Sequence, residues 1–230
     1  MKNTVLLLIA LSGLVRGDFF DDFQSYQPGQ DPESSGNWIR EENGGYALVT
    51  SQGENQVIEA FFPDSTYLGY LCSAAGFWGD GSVSMDFSPD GTGSLVNVLA
   101  RMQIITGEAY VGGVIVFLQP FTYAYIGYVS TTGDYELLYS NFGPTLTPGT
   151  WVNVGLTVEN TDPVVLTLHI NGQQTAQVLD QVYRLGSGLS GFAMIYEGEI
   201  PSIFADDFQV VLSAQWLETT TFGAIKAVFR

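Results

Sequence analysis

Positive charge is scarce in this sequence. The 230 residues include 7 Lys and Arg against 24 Asp and Glu, which gives a formal net charge of −17 at pH 7. A negative field of this size repels the phosphate backbone of nucleic acids and the surface of anionic membranes. The composition therefore predicts that the acidic protein binds neither of them, and that its field attracts cations.

Cysteine and histidine are nearly absent, with one residue of each. The single cysteine, Cys72, has no partner for an internal disulfide, so the fold has to depend on its hydrophobic core. It is predicted to be a small buried residue, and a nucleophilic pair with His169 is the alternative that the residue types leave open. The sequence shows no metal-ligand cluster, phosphate-binding loop or Ser/His/Asp pattern. No catalytic centre is evident.

Long hydrophobic runs are also missing. The apolar stretch at residues 5–15 falls short of the roughly 20 residues that span a bilayer. It follows Lys2, and the small residues Val15 and Gly17 suit the −3 and −1 positions of a cleavage site. We expect residues 1–17 to be a signal peptide, with a membrane anchor as the less favoured alternative. The mature protein is then extracellular or on the cell surface.

What the sequence does contain predicts an all-β fold. Hydrophobic residues make up 46% and aromatic residues 13% of the chain, enough for a real core. Runs of β-branched and aromatic residues alternate with Gly, Pro, Asn and Asp, without a sustained helical period before residue 215. The predicted strands are 56–62, 82–87, 95–102, 110–118, 123–129, 135–140, 152–159, 164–170, 174–182, 191–196 and 204–212. This pattern favours one two-sheet antiparallel sandwich over residues 18–213.

Two hairpins are predicted from their turn residues. Asn171 and Gly172 supply the positive φ angles of a tight turn. The alternation before them places one face of strand 164–170 in the core and turns His169 outward. A Gly-Asp turn at residues 133–134 joins strand 123–129 to the next one.

A motif near the start of the mature chain is repeated near its end. Asp-Asp-Phe occurs at residues 21–23 and again at 206–208, with GGYAL (44–48), WVNV (151–154) and the hairpin at 170–172 between them. In this order the motifs resemble the concanavalin A-like lectin/glucanase superfamily, especially laminin-G-like jelly rolls and the related 3-keto-disaccharide hydrolase-type domains. The resemblance implies two stacked antiparallel sheets, one of them concave, with the first and last strands side by side.

The resemblance also implies a metal site. If Phe23 and Phe208 lie in the core, their neighbours Asp22 and Asp207 point outward, because side chains alternate across a strand. Like charges on adjacent strands repel unless a cation lies between them. In β-glucanases of the superfamily, an Asp before the aromatic residue of the last strand binds calcium with backbone carbonyls from the N-terminal region. A structural Ca²⁺ ion is thus expected at Asp22, Asp207 and the Gly45 carbonyl. The alternative is that these acids only keep edge strands soluble.

The sequence departs from the β-glucanases where those enzymes place their chemistry. They have a strand with Glu, Asp and Glu at alternating positions, which supplies paired carboxylates. The nearest pattern here is Glu197-Gly198-Glu199, which is short and lies at a Gly turn. This segment is predicted to be a solvated loop.

Aromatic residues are the remaining candidates for ligand binding. Tyr123 and Tyr125 share one face of a predicted strand, and Trp78 lies in a Gly-rich segment that indicates exposure. Flat rings on a concave sheet stack on sugar rings in many carbohydrate-binding sandwiches. The alternative is that these rings pack in the core.

Residues 214–230 form a separate tail. It is predicted as a short helix with Thr at its cap and Phe222, Ile225 and Phe229 on one side. Its ending resembles that of some exported bacterial proteins.

Together these features favour an exported, non-catalytic binding or adhesion module for a polysaccharide or cell-surface glycan, stabilised by calcium. Two other functions stay open: a glycoside hydrolase or lyase that uses the concave face, and a structural cell-surface component. Converging carboxylates in a cleft would favour the enzyme, whereas an apolar and filled concave face would favour the structural role.

Overall fold

The structure, a computed structural model, describes residues 18–41, 45–62, 67–89, 93–118, 121–132, 134–147, 149–196 and 203–213. The predicted signal peptide, the predicted C-terminal helix and the Glu197–Glu199 segment lie outside these residues. No helix in the described part of the chain has the length and apolar character needed to cross a membrane.

The described chain forms fifteen β-strands and one short 3-10 turn, Pro32–Ser35. The strands are β1 (Phe19–Asp21), β2 (Trp38–Arg40), β3 (Tyr46–Gln52), β4 (Asn55–Phe61), β5 (Tyr67–Cys72), β6 (Gly81–Pro89), β7 (Ser94–Met102), β8 (Ala109–Leu118), β9 (Phe121–Val129), β10 (Tyr135–Phe142), β11 (Val152–Glu159), β12 (Val164–Ile170), β13 (Gln173–Asp180), β14 (Leu189–Tyr196) and β15 (Ile203–Leu212). All eleven predicted strands are present, and the four that were not predicted are β1, β2, β3 and β5.

The strands build two antiparallel sheets, which confirms the predicted jelly-roll sandwich. The eight-stranded sheet has the order β13-β12-β11-β6-β15-β4-β3, and β1 also pairs with β15. The seven-stranded sheet has the order β10-β9-β8-β7-β14-β5-β2. The first and last strands lie side by side, as the resemblance implies, with Asp21 opposite Phe208.

An aromatic cluster fixes the two ends of the described chain in the core. Phe23 and Phe208 are fully buried, and both pack on the indole of Trp38, with ring centroids 6.0 and 4.8 Å from it. The Trp38 indole nitrogen and the Tyr26 hydroxyl both donate hydrogen bonds to Asp21, at 2.9 and 2.7 Å. The buried carboxylate of Asp21 therefore has hydrogen-bond partners. Side-chain packing, in addition to the backbone hydrogen bonds between β1 and β15, stabilises the pairing of the first and last strands.

Both predicted hairpins are present. At the first, Asn171 and Gly172 have φ values of 52° and 72°, and Ile170 pairs with Gln173. The second joins β9 to β10, with Val129 opposite Tyr135. Gly133 of the predicted Gly-Asp turn lies outside the described residues, so what is confirmed at the second hairpin is the pairing of β9 with β10.

Candidate functional site

The seven-stranded sheet has an open cleft of about 480 Å³ on the face that points away from the sandwich core. Its described lining comes mostly from Leu, Val, Ile, Ala and Met side chains of β7, β8, β9 and β14, with three Tyr residues and Asn97. This volume lies within the range of about 300–1,000 Å³ that is typical of small-molecule sites. The cleft is thus large enough to hold a ligand.

The floor of the cleft is a row of small residues that crosses the sheet. Asn97 of β7 pairs with Gly113 of β8 on one side and with Ala193 of β14 on the other. The row continues to Tyr125 of β9 and to Gly69 of β5. Because Gly and Ala are short, the row leaves a trough in which the Asn97 side chain has no bulky neighbour on either adjacent strand.

Larger side chains form both walls of this trough. On one side Leu95, Ile195 and Tyr67 oppose one another across β7, β14 and β5. On the other side Leu99 lies opposite Val111. These residues stand two positions from the floor row on the same strands, so they point to the same face. The walls are therefore apolar for most of their length.

Three tyrosine side chains reach over glycines on this face, because glycine leaves room for them. A Cβ atom at any of the three glycines would collide with the ring above it. The pairs are Tyr67 over Gly69, Tyr125 over Gly113 and Tyr135 over Gly127. Aromatic rings that cover strand glycines in this way replace the packing that a glycine lacks. Tyr135 is 48% exposed and stands edge-on to Tyr125, with ring centroids 5.9 Å apart.

Two polar groups in the floor have no partner. Asn97 is 5% exposed and Tyr125 is 1% exposed. Neither the Asn97 Oδ1 atom nor the Tyr125 hydroxyl has a hydrogen-bond partner among the described residues. Burial raises the pKa of the Tyr125 hydroxyl, and a hydrogen-bonding contact from the Asn97 side chain, too distorted to count as a full hydrogen bond, offsets part of this rise. A buried polar group without a hydrogen-bond partner lowers the stability of the folded state by about 1–3 kcal/mol. Both atoms therefore favour the binding of a polar ligand in the cleft.

Glu41 is the one carboxylate among the described residues that line the cleft. It lies beside Tyr67 at the edge of the sheet. Burial, followed by the charge of Glu41 and a hydrogen bond to it, raises the pKa of the Tyr67 hydroxyl. The described residues at this end of the cleft thus include an acidic group and no basic one.

Acidic residues gather on the eight-stranded sheet, where β15 meets its neighbours. Asp206 is 6% exposed and accepts hydrogen bonds from the Asn55 side chain at 2.7 Å and from the Asp207 backbone at 2.9 Å. Burial, together with the charges of Asp207 and Asp22, raises the pKa of the Asp206 carboxyl to about 6. Burial and the charges of Asp86 and Asp22 also raise the pKa of Asp207. The four carboxylates therefore repel one another at neutral pH.

The structure brings together two of the three predicted calcium ligands. Asp22 follows the β1–β15 pairing directly and acts electrostatically on Asp207, as the repeated motif predicts. Carboxylate oxygens are ligands that Ca²⁺ prefers, so the chemistry of this pair fits the ion. In the described part of the chain, however, no group of three or more His, Cys, Asp or Glu residues has the arrangement of a metal site.

The third predicted ligand, Gly45, lies elsewhere, and its assignment was wrong. The β3–β4 hairpin turns next to the acidic cluster, where Asn55 contacts Asp206. Gly45 precedes Tyr46 at the opposite end of β3 and donates its N–H to the Tyr67 carbonyl. The six steps between the seven residues of β3, at about 3.4 Å each, separate its two ends by roughly 20 Å. The Gly45 carbonyl therefore does not reach the Asp22–Asp207 pair.

The three aromatic residues predicted to bind a ligand lie in different environments. Trp78 is fully buried, its backbone forms a bridge with Gly188, and the expectation that it is exposed was wrong. Tyr123 is half-buried and stacks on Phe142, with ring centroids 5.1 Å apart. Tyr125 lines the cleft, but its ring and its hydroxyl are both buried, so it offers no flat face for a sugar ring to stack on. Ligand binding by Tyr125 stays a prediction.

Comparison with solved structures finds proteins with a similar sandwich fold. A protein of unknown function with a galectin-like fold from Bacillus subtilis superposes with a TM-score of 0.62 at 14% identity, over 85% of this chain and 96% of that one. A GH16 protein of the Bacteroides ovatus mixed linkage glucan PUL, in complex with a G4G4G3G product, gives 0.59 at 10% identity over 84% and 99%. The carbohydrate-binding module CBM66 from Bacillus subtilis gives 0.52 at 12% identity over 74% and 91%.

The chain has the concanavalin A-like jelly-roll fold. No protein-family model matches the sequence, and no curated protein matches it. At sequence identities of 10–14%, the superpositions on these three structures establish the fold of the chain but not its ligand. The ligand has to be argued from the residues of the cleft.

Sequence reasoning missed most of the site in this jelly roll. Tyr67 lies on β5, which was not predicted as a strand, and Asn97 and Tyr135 were not singled out. The available signal was β7, where Leu95, Asn97 and Leu99 alternate with Val96 and Val98, so that both faces are largely apolar. A strand with two apolar faces is typical of a sheet that is covered, or used, on both sides.

Proposed function

We propose that this protein is an exported, non-catalytic carbohydrate-binding module that uses the cleft on the seven-stranded sheet. The observation that supports it is the open trough between apolar walls, with the Tyr135 ring exposed at its side and unpartnered polar atoms in its floor. A sugar ring has apolar C–H faces and polar hydroxyl edges, so it complements both kinds of surface. The CBM66 neighbour is named as carbohydrate-binding, and the GH16 neighbour holds a glucan product.

The lining of the cleft favours binding over hydrolysis. Glycoside hydrolases of the common type need two carboxyl groups about 5–5.5 or 6.5–9.5 Å apart. Among the described lining residues only Glu41 has a carboxylate, and it is engaged by Tyr67. The cleft also differs from a filled structural face, because it keeps about 480 Å³ of open volume.

Calorimetric titration of the full chain with neutral oligosaccharides and polysaccharides tests the proposal. We expect saturable binding, and we expect Tyr135→Ala to weaken it two- to tenfold, because aromatic contacts contribute about 0.5–1.5 kcal/mol. Tyr46→Ala is the matched control, since Tyr46 stacks on Phe61 on the other sheet. Absence of binding to a broad neutral panel, or equal losses in both variants, would contradict the proposal.

Export is tested separately. A leader with a short apolar run and small boundary residues predicts that the protein leaves the cytoplasm and begins near Asp18. N-terminal sequencing of protein recovered outside the cytoplasm checks this. An intact Met1 on that material would contradict cleavage.

A further inference from the structure

The described residues provide the cleft with no cation for an anionic ligand. Between residues 18 and 213 the sequence contains three Arg and no Lys. Arg40 pairs with Asp31 at 3.0 Å, and Arg184 pairs with Asp162 at 3.3 Å. The third, Arg101, is completely buried and pairs with Asp80 at 2.8 Å. None of the three is among the described lining residues of the cleft.

The floor of the cleft offers one acceptor and one hydroxyl, close together. A Cβ atom on Gly113 would lie 2.6 Å from the Tyr125 hydroxyl oxygen and 2.7 Å from the Asn97 Cβ atom. The two side chains therefore converge over the same glycine. Both end in polar atoms without a partner among the described residues, and both are at least nine-tenths buried. The Asn97 Oδ1 acceptor and the Tyr125 O–H donor can each make a further hydrogen bond to a ligand, in addition to the weak contact between the two side chains.

We infer that the cleft selects an uncharged ligand and holds it by one hydroxyl group that bonds to Asn97 and Tyr125. This inference deepens the proposed function, on which it rests for the kind of molecule bound. A hydroxyl both donates and accepts, so it donates to the Asn97 Oδ1 atom and accepts the Tyr125 O–H. A carboxylate or sulfate has no proton for Asn97 Oδ1, and an ammonium group cannot accept from Tyr125.

The apolar walls act in the same direction. A charged group that enters this trough loses its hydration, and the described lining has no opposite charge for an anion. A hydroxyl group with an apolar body loses little, because the body contacts Leu95, Leu99 and Val111 while the hydroxyl meets the floor. The ligand class is thus a neutral polyol or alcohol, such as an unsubstituted sugar.

Tyr125→Phe separates a binding role from a structural one. It deletes only the buried hydroxyl and keeps the aromatic ring. We expect the melting temperature of the free protein to be unchanged or higher, and affinity for a neutral oligosaccharide to fall by about two- to tenfold, the usual effect of one hydrogen bond. Tyr46→Phe is the matched control on the other sheet. A lower melting temperature with unchanged affinity would overturn the inference.

Small molecules of different charge test whether the cleft selects an uncharged ligand, without relying on a sugar. We would titrate the isotope-labelled full chain with cyclohexanol, cyclohexanecarboxylate and cyclohexylamine, and follow the Asn97 side-chain amide by NMR. We expect saturable shifts with cyclohexanol, at least tenfold weaker effects with cyclohexanecarboxylate, a weaker response of the Asn97 amide to cyclohexylamine, which cannot accept the Tyr125 hydrogen bond, and a weaker response to cyclohexanol in Tyr125→Phe.

The two proposals fail in different ways. If cyclohexanol binds but no saccharide does, the carbohydrate function is wrong, whereas the inference that Asn97 and Tyr125 bind a ligand hydroxyl group is still supported. If sulfated or amino-substituted saccharides bind more tightly than the neutral parent, the inference about an uncharged ligand is wrong, but the carbohydrate function is not contradicted. No response to cyclohexanol or to any saccharide overturns both.

Discussion

The hydroxyl oxygen of Tyr125 lies 2.6 Å from the point that a Cβ atom of Gly113 would occupy. The two residues are direct partners on β9 and β8. The absence of a side chain on one strand is therefore what permits the aromatic ring on the next strand to lie in the floor of the cleft. Asn97, on the other side of Gly113, depends on the same gap.

Gly113→Ala is expected to damage both stability and binding. The new methyl group would overlap the Tyr125 hydroxyl and the Val96 carbonyl, and the backbone carbonyl cannot swing away. Overpacking of this kind costs about 1–3 kcal/mol. Gly155→Ala is the matched control on β11, because its nearest neighbour would be 3.5 Å away. Thermal unfolding and calorimetry of both variants measure the difference, and equal effects would contradict the packing argument.

The fold could be predicted largely from local patterns. Eleven strands have the alternation or β-branched runs that indicate a strand. β1 and β2, with 3 residues each, are too short for any periodicity to show. The family resemblance implied the pairing of the chain ends, which is confirmed, but the alternation expected for the first Asp-Asp-Phe motif does not lie on a strand, because β1 ends at Asp21.

The site could not be predicted in the same way, because it depends on contacts between distant strands. The Gly-rich segment around Trp78 indicates exposure, and this is true of Phe77, which is 45% exposed. Trp78 is buried because its backbone bridges to Gly188, far away in the sequence. The Gly113–Tyr125 and Asn97–Ala193 pairs likewise require the register of the sheet, which the order of residues does not show.

Removing the Asp22 charge is expected to stabilise the protein at neutral pH. The raised pKa of Asp206, about 6, means that the folded state prefers the protonated form. The contribution of this group to stability is therefore full below about pH 4 and is lost as the pH rises through 6. Asp22→Asn should raise the melting temperature at pH 7.5, where the cluster is charged, and the gain should shrink by pH 4.5. Glu159→Gln, an exposed site on β11, is the control, and a gain that does not depend on pH would contradict the electrostatic explanation.

Replacing Glu197 and Glu199 is expected to leave sugar binding unchanged. The described lining supplies its contacts through Tyr135, Asn97 and Tyr125, none of which needs these acids. The double variant Glu197→Gln/Glu199→Gln should therefore match the parent in a calorimetric titration with the best neutral ligand. A β-glucan-hydrolysing activity in the parent that disappears in the double variant would instead favour the enzyme function.

Calcium is expected to raise the melting temperature through the carboxylates of Asp22 and Asp207. A cation between these like charges removes their repulsion and ties the first strand to the last. Binding to the folded state alone contributes RT ln(1 + [L]/Kd), about 2.7 kcal/mol at a hundredfold excess of ligand over Kd. Asp207→Asn should abolish most of the gain, whereas Asp134→Asn, an exposed acid in the β9–β10 turn, should keep it. Mg²⁺ should stabilise less, since it requires a tighter octahedral set of ligands. Equal melting temperatures in Ca²⁺ and EDTA would show that these acids only repel one another, and equal gains from Ca²⁺ and Mg²⁺ would show screening of a net charge of −17 and no specific site.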